Sequence, residues 1–244
     1  MKILFSPSES KGDISPFANN IKNELIFKEL FSQREVFIDK YDEIVKSGNE
    51  AKIKKLFGLK SIKDIDTTSL FKKLTQKAIL RYNGVAYKYL NHEALNKKEQ
   101  DFIDKNVIIF SNLFGPILAG DKIPNYKLKQ GETIDGLKPE ITYHEVFKNS
   151  LDSFLENEFI IDLRAAFYEN FYHVNVPYIS FKFIKNGKVV SHWAKAYRGL
   201  VLRELAKFQP KHEEEFGGIK FLNLNLLEIK QLKNKKEYLF EIEN

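Results

Sequence analysis

The stretch from Tyr178 to Leu205 constrains this chain more than any other, because two periodicities and a turn signal meet in it. Ile179, Phe181 and Phe183 alternate with Ser180, Lys182 and Ile184, and Asn186-Gly187 supplies the positive-φ pair of a two-residue hairpin turn. Val189 to Lys195 is expected to return as the partner strand. Ala196 to Phe208 then places Leu200, Val201, Leu205 and Phe208 at helical spacing, which puts Lys195 at a strand end and Arg198-Gly199 in a first helical turn. A helix start offers free N–H groups and the positive end of the dipole. Two long cations beside it would hold a phosphate, and Gly199 would leave the backbone open to close approach. A strand-to-helix corner capped by solvated Lys and Arg gives the same string, as does an Arg198 paired internally with an acid such as Asp162. The segment alone leaves these readings open.

The charge is unevenly placed. The net charge is +6, yet residues 46–98 hold thirteen Lys/Arg against Glu50, Asp64, Asp66 and Glu93, an excess of nine, so the rest of the chain is slightly acidic. Such a segment suits a polyanion partner; a Lys-rich solvated helix surface reads the same way. Within it, Ile53 to Ile65 reads as a helix end, an apolar-Gly-apolar turn at Phe57-Gly58-Leu59 and a new helix from Ser61. That is a helix-hairpin-helix-like element, whose backbone N–H groups would clasp a DNA phosphate with Lys54, Lys55, Gly58, Lys60 and Lys63 around it. A helix closed by a glycine cap would give the same residues.

With 244 residues and 43% of them hydrophobic, the chain can bury a full core, and residues 1–244 are expected to form a single domain. Lys2 to Phe5 reads as a buried strand entering a polar loop, Ser6 to Pro16, a usual place for a site. Helices are expected over Ile21 to Phe31, Tyr41 to Phe57, Ser69 to Arg81, Lys97 to Lys105 and Tyr143 to Leu155. Strands are expected over Val107 to Phe110 and Phe159 to Leu163, with a closing hairpin from Ile219 to Ile242. Without a regular βαβ repeat, the fold class is α+β, a single compact domain with a mixed sheet flanked by helices. No run is long enough to span a membrane and Met1 to Pro7 is too short for a signal peptide, so a cytoplasmic protein is expected.

The absence of cysteine removes thiol catalysis, thiolate metal sites and thiol redox sensing together. No Gly-rich phosphate loop, nucleophile elbow or zinc-type His pair occurs, and the five histidines stand singly. His144-Glu145 and Asp162 would serve acid/base chemistry only if the fold brought them together. Accordingly, no catalytic residue, metal ligand or cofactor is assigned.

Four segments in order resemble the YaaA family of bacterial peroxide-stress proteins: Met1-Lys2-Ile3-Leu4-Phe5-Ser6-Pro7; Gln76-Lys77-Ala78-Ile79-Leu80 with Gly84 and Tyr87; Ser111 to Gly131 through Ser111, Leu113, Gly115, Asp121, Tyr126, Leu128 and Gly131; and Ser191 to Leu202 through Ala194, Lys195, Arg198, Gly199 and Leu200. The chain departs from the pattern where Leu118 and Ala119 replace Arg-Pro, where Lys127 and Lys129 replace Arg and Glu, and near Tyr168, where an acidic pair is missing. Ser8-Glu9-Ser10-Lys11 replaces a compact Ala-Lys-Thr. The resemblance implies an unusual α+β fold with a basic cleft, DNA binding, and protection against iron-driven oxidation. It carries Lys195 and Arg198 to the cleft, with Lys11 as a weaker third member. The alternative is an enzyme acting on a phosphorylated or nucleotide-like small molecule. A broad basic stripe would favour the polymer; a deep pocket with one or two cations and a carboxylate would favour the metabolite.

Overall fold

A computed structural model describes residues 1–12, 21–62 and 64–243, so 13–16 of the expected polar loop, and Lys63, lie outside the described residues. The strands are β1 (Lys2–Phe5), β2 (Thr75–Lys77), β3 (Val107–Ser111), β4 (Gly115–Leu118), β5 (Lys122–Pro124), β6 (Ile160–Asp162), β7 (Tyr178–Lys185), β8 (Lys188–Val189), β9 (Leu224–Leu232) and β10 (Lys235–Ile242). The helices are α1 (Ile21–Glu24), α2 (Phe31–Lys46), α3 (Glu50–Phe57), α4 (Ala78–Arg81), α5 (Val85–Leu90), α6 (Lys97–Asn106), α7 (Pro139–Leu155), α8 (Ser191–Phe208) and α9 (Glu213–Gly217).

One mixed sheet runs through the chain in the order β4-β3-β1-β6-β7-β10-β9, with β8 on the far end of β7. Its centre is parallel: β1 pairs with β3 and with β6, β6 with β7, and β7 with β10, while β4, β8 and β9 run antiparallel. Val107 to Phe110 and Ile160 to Ile161 are fully buried, as strands covered on both faces must be, which is why they read as unbroken apolar runs. The chain lays β1 first, places β3 on one side of it and later β6 on the other. The direction of winding therefore reverses at β1, and the carboxyl ends of β1 and β6 flank a topological switch point.

Several expected elements take other forms. The helix expected over Tyr41 to Phe57 is two, α2 and α3, because Gly48 turns left-handed and Asn49 caps the second through its side chain, accepting from the Lys52 N–H at 3.1 Å. Ser69 to Arg81 is a 3-10 turn, β2 and α4: residues 75–77 pair antiparallel with β5, a tertiary contact that outweighs local helical spacing. The expected Ile21 to Phe31 helix is α1 followed by a 3-10 turn at Lys28–Leu30. The Asn186-Gly187 hairpin forms, but its second arm is only Lys188–Val189. Beyond that point β7 is paired along its length by β10, and the chain departs into α8.

Candidate functional site

Because α8 begins at Ser191, five residues before the expected start, Lys195 is helical rather than at a strand end, and Arg198 lies beyond the first turn. Their spacing of three places both on one face of the helix. That face meets a cleft of about 420 Å³ whose other walls are the Ser6–Ser10 loop, residues 84–87 at the start of α5, and Leu163, Ala165 and Tyr168 after β6. The cleft thus sits at the switch point. Gly199 is needed for packing: a Cβ there would lie 2.0 Å from the Ala86 carbonyl oxygen, so α8 rests on the backbone of α5. This glycine lets two helices meet and leaves no gap for a ligand, contrary to its expected role.

The walls are tied to each other by hydrogen bonds. The Ala165 N–H donates to Ser6 Oγ at 2.8 Å, joining the chain after β6 to the chain after β1, and the Tyr87 hydroxyl donates to the Ser6 carbonyl at 2.8 Å. Gln130, also in the wall, donates its N–H to Glu9 Oε1 at 2.8 Å, which places a carboxylate at the rim. Glu9, Tyr87 and Tyr168 were named from sequence only as parts of segments compared with the family pattern, and Gln130 was not named; the Ser-Pro directly after a buried strand and the Gly84/Tyr87 segment are the signals that pointed to these walls.

Arg198 is half-buried, and desolvation lowers its pKa against the opposing pull of Asp162 and Glu169. Among the described residues it has neither a hydrogen bond nor an ion pair. The expected alternative, pairing with Asp162, does not form, because Asp162 is engaged elsewhere. Arg164 donates Nε to Oδ1 at 2.9 Å and Nη2 to Oδ2 at 2.7 Å, and its Nη1 donates to the carbonyls of Tyr168 and Tyr172 at 3.0 and 2.8 Å. A second buried arginine, Arg34, is likewise satisfied: its guanidinium donates to the carbonyls of Ile26, Phe114 and Pro116 at 2.7–2.8 Å. Buried cations are ordinarily paired in this way. Arg198 instead faces the cleft with its donors unused, and exposed Lys195 stands beside it without a partner among the described residues.

Lys11 does not join them. It lies under the Ser6–Ser10 loop, where Nζ donates to the carbonyls of Ser8 and Glu9 at 3.2 and 3.3 Å and stands 3.8 Å above the Tyr126 ring. Burial first, and then the nearby Lys127, lower its pKa to about 7. At α3, Gly58 is the left-handed cap of a helix end, its N–H donating to Lys55 O at 3.2 Å and that of Leu59 to Lys54 O at 3.0 Å. Among the described residues no helix starts at Ser61; the chain next turns helical at Leu70–Lys72, so the helix-hairpin-helix expectation reduces to a capped helix. Lys54 pairs with Glu50 at 2.7 Å and Lys55 with Glu132 at 3.7 Å, while Lys60 is exposed. One link joins this region to the cleft. The Lys129 N–H donates to Leu56 O at 2.9 Å, one residue before Gln130.

His144 and Asp162 are not brought to one site: His144 packs against His173 at 4.9 Å between ring centres, the rings tilted by 59°, in a surface depression with Glu140 and Glu145. Among the described residues no group of three or more His, Asp or Glu side chains is placed to hold a metal, and no helix is long and apolar enough to cross a membrane.

Comparison with known proteins places this geometry in context. Residues 1–229 match the family described as peroxide stress protein YaaA. The chain is 46% identical over 244 residues to an uncharacterised protein of Campylobacter jejuni, covering 99% of each. It is 30% identical over 247 residues to a UPF0246 protein of Clostridioides difficile, covering 93% of this chain and 97% of that one. A UPF0246 protein of Fusobacterium nucleatum is 24% identical over 261 residues, covering 100% of both.

Proposed function

The chain belongs to the peroxide stress protein YaaA family, and from that premise we propose that it acts by binding DNA, holding a backbone phosphate on Arg198 and Lys195. In this reading it works in the cytoplasm and limits peroxide- and iron-driven damage by occupying DNA, not by consuming peroxide. The observation that carries the reading is Arg198, a half-buried arginine left without a partner among the described residues in a cleft. A phosphate would supply two acceptors to its guanidinium, while Lys195 would add a point charge at the mouth. The lack of cysteine leaves no thiol to turn over peroxide. The link through Lys129 and Gln130 would bring exposed Lys60 alongside a duplex lying over the cleft, while Lys54 and Lys55 stay with Glu50 and Glu132.

Fluorescence anisotropy with unrelated duplex sequences tests this. With ~5 phosphates contacted, the logarithm of the affinity should fall with the logarithm of salt at a slope of about −4 to −5, with little sequence preference. Affinity that ignores salt refutes the electrostatic reading. In parallel, the purified protein should leave hydrogen peroxide unconsumed.

A second reading has its own support: the cleft lies at a topological switch point, is of small-molecule size and carries Glu9 on its rim, features that suit a phosphorylated or nucleotide-like metabolite. Calorimetry with a nucleoside monophosphate separates the two. Tight one-to-one binding that displaces no DNA favours the metabolite.

A further inference from the structure

We infer that two copies of this chain pair edge to edge through β9, joining their sheets across a two-fold axis at Ile229. The strand is the last in the sheet, bonded to β10 on one side and to no described strand on the other. From Asn225 to Leu232 every residue is exposed. Edge strands of this length are usually blunted by charge, proline or a covering segment, because their free N–H and C=O groups template pairing with another chain. Here the edge is instead apolar. Leu222, Leu226, Leu227, Ile229 and Leu232 are 44–76% exposed, and they make up five of the thirteen exposed large hydrophobics among the described residues. Side chains this concentrated form a patch, unlike the single exposed residues found on any surface.

Ile229 and Leu226 lie on the face that belongs to the core, whereas Leu232, opposite Lys235, lies on the other face with Glu228 and Lys230. Ile229 pairs with Tyr238 and Leu226 with Phe240, and both of those partners are buried against Phe181. The apolar layer therefore continues one strand past the point where the rest of the protein covers it.

The occupant is identified by the strand's own sequence. An antiparallel pairing about Ile229 sets Ile229 against itself, Glu228 against Lys230 twice, and Leu227 against Gln231 twice. Opposite charges meet at both symmetric positions, and directly opposed pairs of this kind stabilise a sheet. In the single copy Lys230 Nζ lies 3.2 Å from Glu228 Oε2 of the same strand, so both charges already share one face. Ile229 would meet its own copy on the other. The ladder extends from Leu227 to Gln231 and stops at the register shift, where Glu228 and Leu226 pair with Leu239 and Phe240 in succession. A self-complementary edge gives a closed, isologous dimer rather than a filament.

Sedimentation velocity on the full chain at 5–100 µM tests the pairing. Wild type should run at twice its 28.5 kDa mass at the upper concentration. Glu228→Lys sets lysine against lysine across the axis and Lys230→Glu sets glutamate against glutamate, so each alone should weaken dimerisation at least about tenfold. The double exchange, Glu228→Lys with Lys230→Glu, restores both pairs and should return the dimer to within about threefold of wild type. Both side chains are exposed, so the fold should survive, which circular dichroism confirms independently. A wild-type monomer at 100 µM overturns the inference, and so does a dimer that both single exchanges leave intact.

Discussion

The end of α3 and the cleft beside α8 both carry cations, and they differ in what the positive charge has to do. Around α3 the lysines are numerous, exposed and accompanied: Lys54 has Glu50, Lys55 has Glu132, and Gly58 serves a helix cap. At the cleft there are two cations, and the more buried of them, Arg198, is without a partner among the described residues. The charge excess in residues 46–98 therefore overstates the charge available to a ligand, since exposed pairs of this kind are screened and contribute little. A single cation held away from water and unpaired is the stronger sign of a binding site, because the fold spends stability to keep it there.

The largest effect expected from breaking this arrangement is at Arg164. Arg164→Ala leaves Asp162 buried without its bidentate partner, which should cost about 3–5 kcal/mol in urea unfolding. It should also free Asp162 to take up Arg198, so whatever folded protein remains should bind DNA weakly. A variant as stable as wild type would mean that Asp162 was never dependent on Arg164.

Lys11 provides a pH test of the loop that walls the cleft. Its folded pKa, about 7, lies below the ordinary value near 10.5, so between those limits the unfolded chain keeps a proton that the folded chain has released. Stability contributed by this group should rise with pH across that interval and be flat below about 7. Lys11→Met, compared with wild type by denaturant unfolding at pH 6.5 and 9.5, should remove this part of the rise. An unchanged pH dependence would show that the lysine keeps its charge under the loop.

Arg198→Met sharpens the contrast with Arg34. Removing half-buried donors that no described residue satisfies should leave the protein as stable or raise stability by about 1 kcal/mol, where Arg34→Met should destabilise by removing hydrogen bonds to four carbonyls. Thermal unfolding decides it. A large loss at Arg198 would give it a structural role.

A smaller effect is expected at Gly58. Valine there is forced into the left-handed region at φ 67°, at a cost of roughly 1–2 kcal/mol, and its Cβ meets the flexible Lys129 side chain. DNA affinity per folded molecule should change less than twofold if the cleft holds the phosphate. A greater loss would restore the glycine turn as a clasp.

Local signals carried the elements whose stability is local. Lys97–Asn106 is a capping-box helix, and its sequence marks both ends; the buried runs at Val107 and Ile160 could hardly be anything but strands. The segments that misled are those decided by distant partners. Thr75–Lys77 is a strand because residues 122–124 lie beside it, and β7 takes its main partner not from the residues after its own turn but from β10, some fifty residues later. For the cleft, the spacing of Lys195 and Arg198 was legible on either side of a misplaced helix start. That Arg164, two residues from Asp162, claims both of its oxygens was not, since sequence alone offers Asp162 to either arginine. Glu9 and Gln130 are 121 positions apart and meet only through the sheet.

The most direct test of the account is one affinity comparison at a single low salt concentration, normalised to folded protein. A labelled duplex is titrated with wild type, with Arg198→Met and with the double variant Lys54→Ala/Lys55→Ala. Loss of one charge-assisted contact is worth roughly 1.5–3 kcal/mol, so Arg198→Met should bind at least about tenfold more weakly, while the α3 variant stays within about twofold of wild type. An Arg198→Met protein that binds like wild type while the α3 variant fails would contradict the account.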